Sequence, residues 1–237
     1  MVREFAGKME RAISGAENIV IVGHFNPDGD SVGSVTGMYY YLKELDKKAV
    51  VVLPSSYPEY LSFLDKDRDY LIFTKNPEKV AQAIEESDLI IGLDFNNLGR
   101  TEGVKNLFAA SSAQKILIDH HPNPERSSFD LICSTVDTSS TCELLFYVLM
   151  ETALVDDDIE KMPYRSAEGL ATGMLTDSNN FENSSIASTY NMASLLLRRG
   201  VSLDVLGKRF FGSYSESRIR LMGEMLRNQM VVLEDLN

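Results

Sequence analysis

All three histidines of this chain, His24, His120 and His121, lie in aspartate-rich segments at the ends of apolar runs. His24 opens His24-Phe25-Asn26-Pro27-Asp28-Gly29-Asp30-Ser31, directly after Ile19-Val20-Ile21-Val22-Gly23. His120 and His121 follow Asp119 after Lys115-Ile116-Leu117-Ile118, and a third apolar run, Leu89-Ile90-Ile91-Gly92-Leu93, ends in Asp94. Imidazoles and carboxylates without a thiolate suit Mn²⁺, Mg²⁺ or Co²⁺ better than a structural zinc, with manganese favoured. Asp28 and Asp30, two residues apart, can address two neighbouring cations. Asp94, arriving alone on its own run, is suited to bridge them. A pair of cations roughly 3.5–4 Å apart clamps a phosphoryl group for in-line attack by water, which makes phosphoester hydrolysis the natural reaction. Without cations the gathered carboxylates would repel, and some of their pKa values would rise. A lone aspartate at a strand end is ordinarily a turn former or a helix cap. What weighs against that reading here is that every histidine of the chain accompanies such an aspartate.

These residues need a scaffold that brings three chain segments to one place. Up to about residue 135, apolar runs alternate with helical periods, the pattern of a parallel sheet covered by helices. Strands are expected at 18–23, 49–53, 69–73, 88–93, 115–119 and 129–133, with crossover helices over 31–45 and 77–87. In an open parallel sheet, ligands collect outside the carboxyl ends of the strands. Three of those ends carry the histidines and aspartates. Gly29, between Asp28 and Asp30, is read as letting the loop turn tightly and approach a ligand, and Pro27 as stiffening it. After Ser134 the strand signal stops. Ser140-Thr141-Cys142-Glu143 has the form of a capping box that opens a helix through about residue 154. Helical spacing then recurs over 166–177, 188–199 and 214–230, with Gly200 as a stop after Arg198-Arg199. The fold class is therefore α/β, a parallel sheet flanked by helices over 1–135, followed by a mainly helical part over 136–237.

With 237 residues and 44% apolar content, the chain can bury a sizeable core. No apolar stretch reaches the ~20 residues of a membrane span, and the first residues lack a signal-peptide core, so a cytoplasmic protein without a membrane partner is expected. Cys133 and Cys142 have no metal-ligand spacing and read as core thiols. A formal charge of −12 argues against long duplex nucleic acid, whose binding depends on basic surface releasing counterions. A polyanionic substrate would have to be small. The run Tyr39-Tyr40-Tyr41 falls on an expected helix, so at least one of these rings should be core and not a stacking platform.

The segment His24-Phe-Asn-Pro-Asp28-Gly-Asp30-Ser-Val-Gly33-Ser34 resembles the first motif of the DHH phosphoesterases, and Asp119-His120-His121 is the triplet that names them. Asp94 in Gly-Leu-Asp-Phe-Asn-Asn-Leu-Gly-Arg100 matches the second motif, and Asp177 in Gly173-Met-Leu-Thr-Asp-Ser-Asn-Asn-Phe181 matches the fourth. The match is collinear from residue 18 to about 226. The resemblance implies one cation held by His24, Asp28 and Asp94, and a second held by Asp30, Asp94, His120 and Asp177. It also implies that His121 faces the phosphate and that Asp119 orients a ligand from behind. Arg100 becomes a phosphate contact, with an ordinary surface salt bridge as the alternative. Asp177 follows a helical stretch and could not be placed without the resemblance. The family pattern Thr-Asp-Thr-Gly-x-Phe stands here as Thr176-Asp177-Ser178-Asn179-Asn180-Phe181, and an Asn tolerates the left-handed backbone that a glycine would adopt.

Within that family the sequence resembles the oligoribonuclease and 3′-phosphoadenosine-5′-phosphate phosphatase type. It implies a two-cation phosphoesterase acting on short oligoribonucleotides, dinucleotides or nucleotide bisphosphates. Inorganic pyrophosphatase and a non-catalytic nucleotide- or metal-binding regulatory module are the alternatives. The resemblance makes residues 1–237 a single catalytic domain. Val231-Val232-Leu233-Glu234-Asp235-Leu236-Asn237 then leads toward a second domain, DHHA1, whose glycine-rich motif is not found in this sequence. Weakened nucleotide grip is the expected consequence. Oligomeric state, a homodimer included, is left open.

Overall fold

The structure is a computed structural model that describes residues 2–212 and 214–232. Six parallel strands form one sheet: β1 (Asn18–Val22), β2 (Lys48–Leu53), β3 (Leu71–Ile72), β4 (Leu89–Leu93), β5 (Gln114–Asp119) and β6 (Leu131–Ser134). The helices in chain order are α1 (Val2–Gly15), α2 (Gly29–Glu44), α3 (Pro77–Glu85), α4 (Lys105–Ala110) and α5 (Thr141–Met150). They continue with α6 (Tyr164–Asp177), α7 (Ala187–Arg198), α8 (Leu203–Gly207) and α9 (Glu216–Asn228). All six expected strands are present, although the third shrinks to two residues. The helix opened by Ser140 stops at Met150, and α1, α4 and α8 are further helices for which no range was expected. Residues 233–237, where the chain was expected to lead toward a second domain, lie outside the described residues.

Strand order is β3-β2-β1-β4-β5-β6, so the winding reverses between β1 and β4. A crevice opens where neighbouring strands send their chains to opposite sides, and that is where open α/β sheets bind ligands. The pleat sends Ile19, Ile21, Ile91 and Ile118 to one face and Val20, Val22, Ile90 and Leu117 to the other. The first face packs under α1, α2, α5 and α6. The second is covered by α3, α4 and the 98–104 segment. Tyr41 is fully buried among the core residues, which settles the tyrosine run as packing at that position.

The helical part is fastened to the sheet by a seam of small residues between α2 and α6. A Cβ on Gly33 would meet the Gly169 carbonyl at 2.5 Å, and one on Gly169 would meet the Gly33 carbonyl at 2.8 Å. Ser166 donates to the Gly37 carbonyl at 2.7 Å. Low residue numbers of α2 thus face high numbers of α6, so the helices run antiparallel. The last turn of α6 ends beside the first turn of α2. Gly29 belongs to this seam, because a Cβ there would strike Thr176. Its bare Cα lets the two helices approach, and the same residue lines the cleft beside Asp28 and Asp177.

Candidate metal centre and active site

β1 delivers His24 with its ring already oriented. Nδ1 lies 2.8 Å from the Phe25 carbonyl and donates to it, which leaves the Nε2 lone pair pointing inward. That nitrogen is buried and has no hydrogen-bond partner. It stands 3.4 Å from Asp94 Oδ2 and 3.7 Å from Asp28 Oδ1. A buried imidazole nitrogen without a partner, facing two carboxylates, fits a divalent cation.

Asp94 sits at the end of β4 with φ +66, a left-handed conformation that an aspartate tolerates better than most residues. Strain of this kind, roughly 1–3 kcal/mol, tends to persist where the aim of a side chain matters. Its two oxygens face opposite ways. Oδ2 faces His24, whereas Oδ1 lies 3.8 Å from His120 Nε2 and 3.7 Å from His121 Nδ1. Three sets of groups bring their ligand atoms within 4.8 Å of one another: His24/Asp28/Asp94, Asp30/His120/Asp177 and Asp94/His120/His121. Asp94 belongs to two of them.

The remaining carboxylates are placed by helix ends. Asp28 caps α2, its Oδ1 accepting from the backbone N–H of Asp30 at 3.0 Å and of Ser31 at 3.1 Å. Asp28 thus serves as a helix cap, and the same oxygen faces His24. Asp30 is buried and receives the N–H groups of Thr141 at 2.7 Å and Cys142 at 2.9 Å. These are the first free donors of α5, whose positive end favours an anion. Asp177, the last residue of α6, brings Oδ2 to 3.4 Å from His120 Nε2.

His121 has different partners. Its Nδ1 donates to Asp119 Oδ1 at 2.8 Å, and its backbone N–H donates to Asp119 Oδ2 at 3.1 Å. Asp119 is fully buried, so both the tautomer and the orientation of the ring are held. On the outer side an Arg100 guanidinium nitrogen donates to His121 Nε2 at 2.9 Å. Among the described residues no carboxylate pairs with Arg100, which removes the ordinary salt-bridge reading.

Four carboxylates this close cannot all be charged at ordinary cost. Burial, then the charges of Asp94 and Asp177, pushes Asp30 well above the usual carboxylate range. Burial, then Asp94 and Asp28, pushes Asp177 up to about 7. Asp28 goes the other way. Desolvation raises it, but the His24 imidazole and the N–H groups of Ser31 and Asp30 outweigh that and hold it at about 2. Burial opposes charge on His24, yet its contacts with Asp28 and Asp94 lift it to about 10. Burial lowers His120, whereas the hydrogen bond to Asp119 raises His121. Protons thus balance the cluster in the absence of divalent cations.

Sequence reading missed Thr141. Its hydroxyl donates to Asp94 Oδ1 at 3.0 Å and accepts the His120 N–H at 3.3 Å, while its own N–H holds Asp30. The residue lay inside the Ser140-Thr141-Cys142-Glu143 pattern, read only as a helix start. Half of that box forms, with Ser140 Oγ accepting the Glu143 N–H at 3.0 Å. The Glu143 carboxylate accepts from Ser139 and Thr189 instead, tying α5 to α7. Cys133 and Cys142 are buried free thiols, as expected.

A sequence profile described as the DHH family, N-terminal domain, matches residues 18–174. The chain belongs to the DHH family. It is 30% identical over 210 residues to the bifunctional oligoribonuclease and PAP phosphatase NrnA of Thermus thermophilus, covering 88% of this chain and 58% of that protein. It is 25% identical over 205 residues to the cyclic-di-AMP phosphodiesterase PdeA of Listeria monocytogenes, covering 84% of this chain and 30% of that one. The chain spans little more than half of the first relative and less than a third of the second. Among solved structures, an exopolyphosphatase-related protein from Bacteroides fragilis superposes with a TM-score of 0.90 at 35% identity, over 97% of this chain and 66% of that one. The exonuclease RecJ bound to manganese shares the fold, with a TM-score of 0.52 at 16% identity over 84% of this chain and 47% of that one.

Within this DHH fold, the departure after Asp177 is accommodated by left-handed backbone. Asn179, Asn180 and Phe181 have φ of 46, 57 and 69. Asn179, where the family pattern has glycine, takes the conformation that an Asn side chain tolerates.

Proposed function

We propose that this chain is a cytoplasmic phosphoesterase that uses two divalent cations, manganese favoured, to hydrolyse short oligoribonucleotides, dinucleotides or nucleotide bisphosphates. The observation that carries this reading is Asp94, whose two oxygens face His24 on one side and His120 on the other. On this reading His24, Asp28 and Asp94 hold one cation, and Asp30, Asp94, His120 and Asp177 hold the other. When bound, the cations supply Lewis acidity to phosphoryl oxygens and lower the pKa of water.

The chain's own residues supply positioning and proton control. Thr141 and the start of α5 fix Asp94 and Asp30, so the ligand set is organised before a cation arrives. Arg100, on the open side of His121, is placed to receive a phosphoryl oxygen by a charge-assisted hydrogen bond. On this reading His121, whose Nδ1 also lies 3.7 Å from Asp94 Oδ1, pairs with Asp119 instead of holding a cation. Once Arg100 turns to a phosphate, His121 Nε2 is free to carry a proton to the leaving oxygen, with Asp119 steadying the charged ring. The nucleotide phosphoesters named for the two curated relatives support the substrate class.

Turnover of a 5′-phosphorylated diribonucleotide with Mn²⁺ tests the reading. Asp94→Ala should abolish hydrolysis in a folded protein, and full activity in that variant would reject the bridging role. Faster release of phosphate from pyrophosphate than from the dinucleotide would favour a pyrophosphatase. Tight nucleotide binding without turnover would favour a regulatory module.

A further inference from the structure

One cleft carries chemistry that a pair of cations does not need. It has a volume of about 330 Å³ and opens against Asp28 and Asp177. Its other walls include Tyr60, from the loop after β2, together with Arg209, Phe210 and Phe211 after α8 and Arg218 on α9. The aromatic rings support one another. Phe210 meets Tyr60 edge-on with centroids 6.1 Å apart, and lies 6.2 Å from Phe63 on its other flank. Tyr60 is nonetheless 48% exposed, so a large ring is held at the cleft with much of its surface free.

The two arginines sharpen the picture. Among the described residues neither Arg209 nor Arg218 pairs with a carboxylate. Arg209 lies over the Phe63 ring at 4.1 Å and Arg218 over Tyr214 at 4.3 Å. In a chain of net charge −12, two guanidinium groups without acidic partners at the mouth of an acidic cluster point to an anionic ligand. Aromatic faces together with guanidinium groups recognise a base and its phosphate; inorganic polyphosphate needs only the cations.

We propose that this cleft seats the nucleobase of a nucleotide whose phosphoryl group lies at the Asp28 and Asp177 end, making the site selective for nucleotides over inorganic phosphates. The proposal rests on the phosphoesterase reading above and adds its specificity. Tyr60 and Phe210 supply the stacking surface. Arg209 and Arg218 neutralise phosphate that is not undergoing reaction.

Calorimetric titration of the full chain in Mn²⁺ with AMP and with ribose 5-phosphate tests it, because the two ligands differ only in the base. AMP should bind ~10- to 100-fold more tightly, the usual worth of one stacked base. In Tyr60→Ala, at an exposed position where folding is not at stake, and in Phe210→Ala, the two affinities should converge. Equal affinities in the unaltered chain, binding of neither ligand, or a preference undiminished in both variants would overturn the seat. Hydrolysis of 5′-phosphorylated diadenylate by the unaltered chain is followed separately. Absence of that hydrolysis contradicts the phosphoesterase reading, whereas hydrolysis without a base preference contradicts only the seat.

Discussion

The bare Cα of Gly173 lies against the Asp30 carboxylate, and a Cβ built there would stand 2.6 Å from Asp30 Oδ1 and collide with Cys142 Sγ. Asp30 cannot retreat, because two N–H groups of α5 hold it. Alanine in a helix is worth up to ~1 kcal/mol over glycine, whereas overpacking a tight core costs ~1–3 kcal/mol. The steric cost should win, so Gly173→Ala is expected to lower the melting temperature and weaken Mn²⁺ binding together. Gly7→Ala in α1, where the nearest obstacle is the tip of Arg11 at 3.7 Å, should be neutral or stabilising. Thermal melts of the two variants, with and without Mn²⁺, check the contrast.

Thr141 joins three ligand segments through one side chain and one N–H. Thr141→Val keeps the shape but leaves Asp94 Oδ1 and the His120 N–H without their partner, at ~1–3 kcal/mol for an unsatisfied buried group. Metal affinity should fall ~10- to 100-fold, the usual effect of losing a group that orients a ligand. Thr141→Ser should restore most of it. Calorimetric Mn²⁺ titrations of the pair decide between orientation and packing alone.

Much of this was legible in the sequence. Apolar runs marked the sheet, and charge at their ends marked the site, because a parallel sheet gathers its strand ends in one crevice. Asp177 was not legible from pattern. It is carried in by a helix, and the glycines that bring α6 against α2 do not announce which helices they join. The helix-approach role of Gly29 was not foreseen for the same reason, since a missing Cβ looks alike whether it admits a ligand or a neighbouring helix. Thr141 was hidden by an adequate local explanation, the helix start. The short α4 has only Phe108 buried, too little periodicity to stand out.

Stability should depend on pH through Asp177. Its pKa in the fold, about 7, lies above the ordinary value near 4, so its contribution is present below about 4 and is lost as pH rises through 7. Asp30, raised as well, acts in the same sense. In a chelator, the melting temperature should therefore fall between pH 4 and pH 8. Asp177→Asn should flatten that fall, and Mn²⁺ should offset it in the unaltered chain. A slope unchanged in Asp177→Asn would show that other groups set it.

Asp119→Asn preserves volume but replaces one acceptor of the His121 ring and backbone N–H with a donor. The ring should turn or exchange tautomer, so kcat should fall ~10- to 100-fold with KM little changed. Nitrogen-15 chemical shifts of the His121 ring report the tautomer directly. Unchanged shifts together with unchanged kcat would remove Asp119 from the account.

Anomalous scattering at the manganese edge reads out whether Asp94 joins two cation sites. Crystals grown with Mn²⁺ should show two peaks roughly 3.5–4 Å apart, one on the His24 side of the Asp94 carboxylate and one on the His120 side. A single peak, or a pair that does not straddle Asp94, would contradict it.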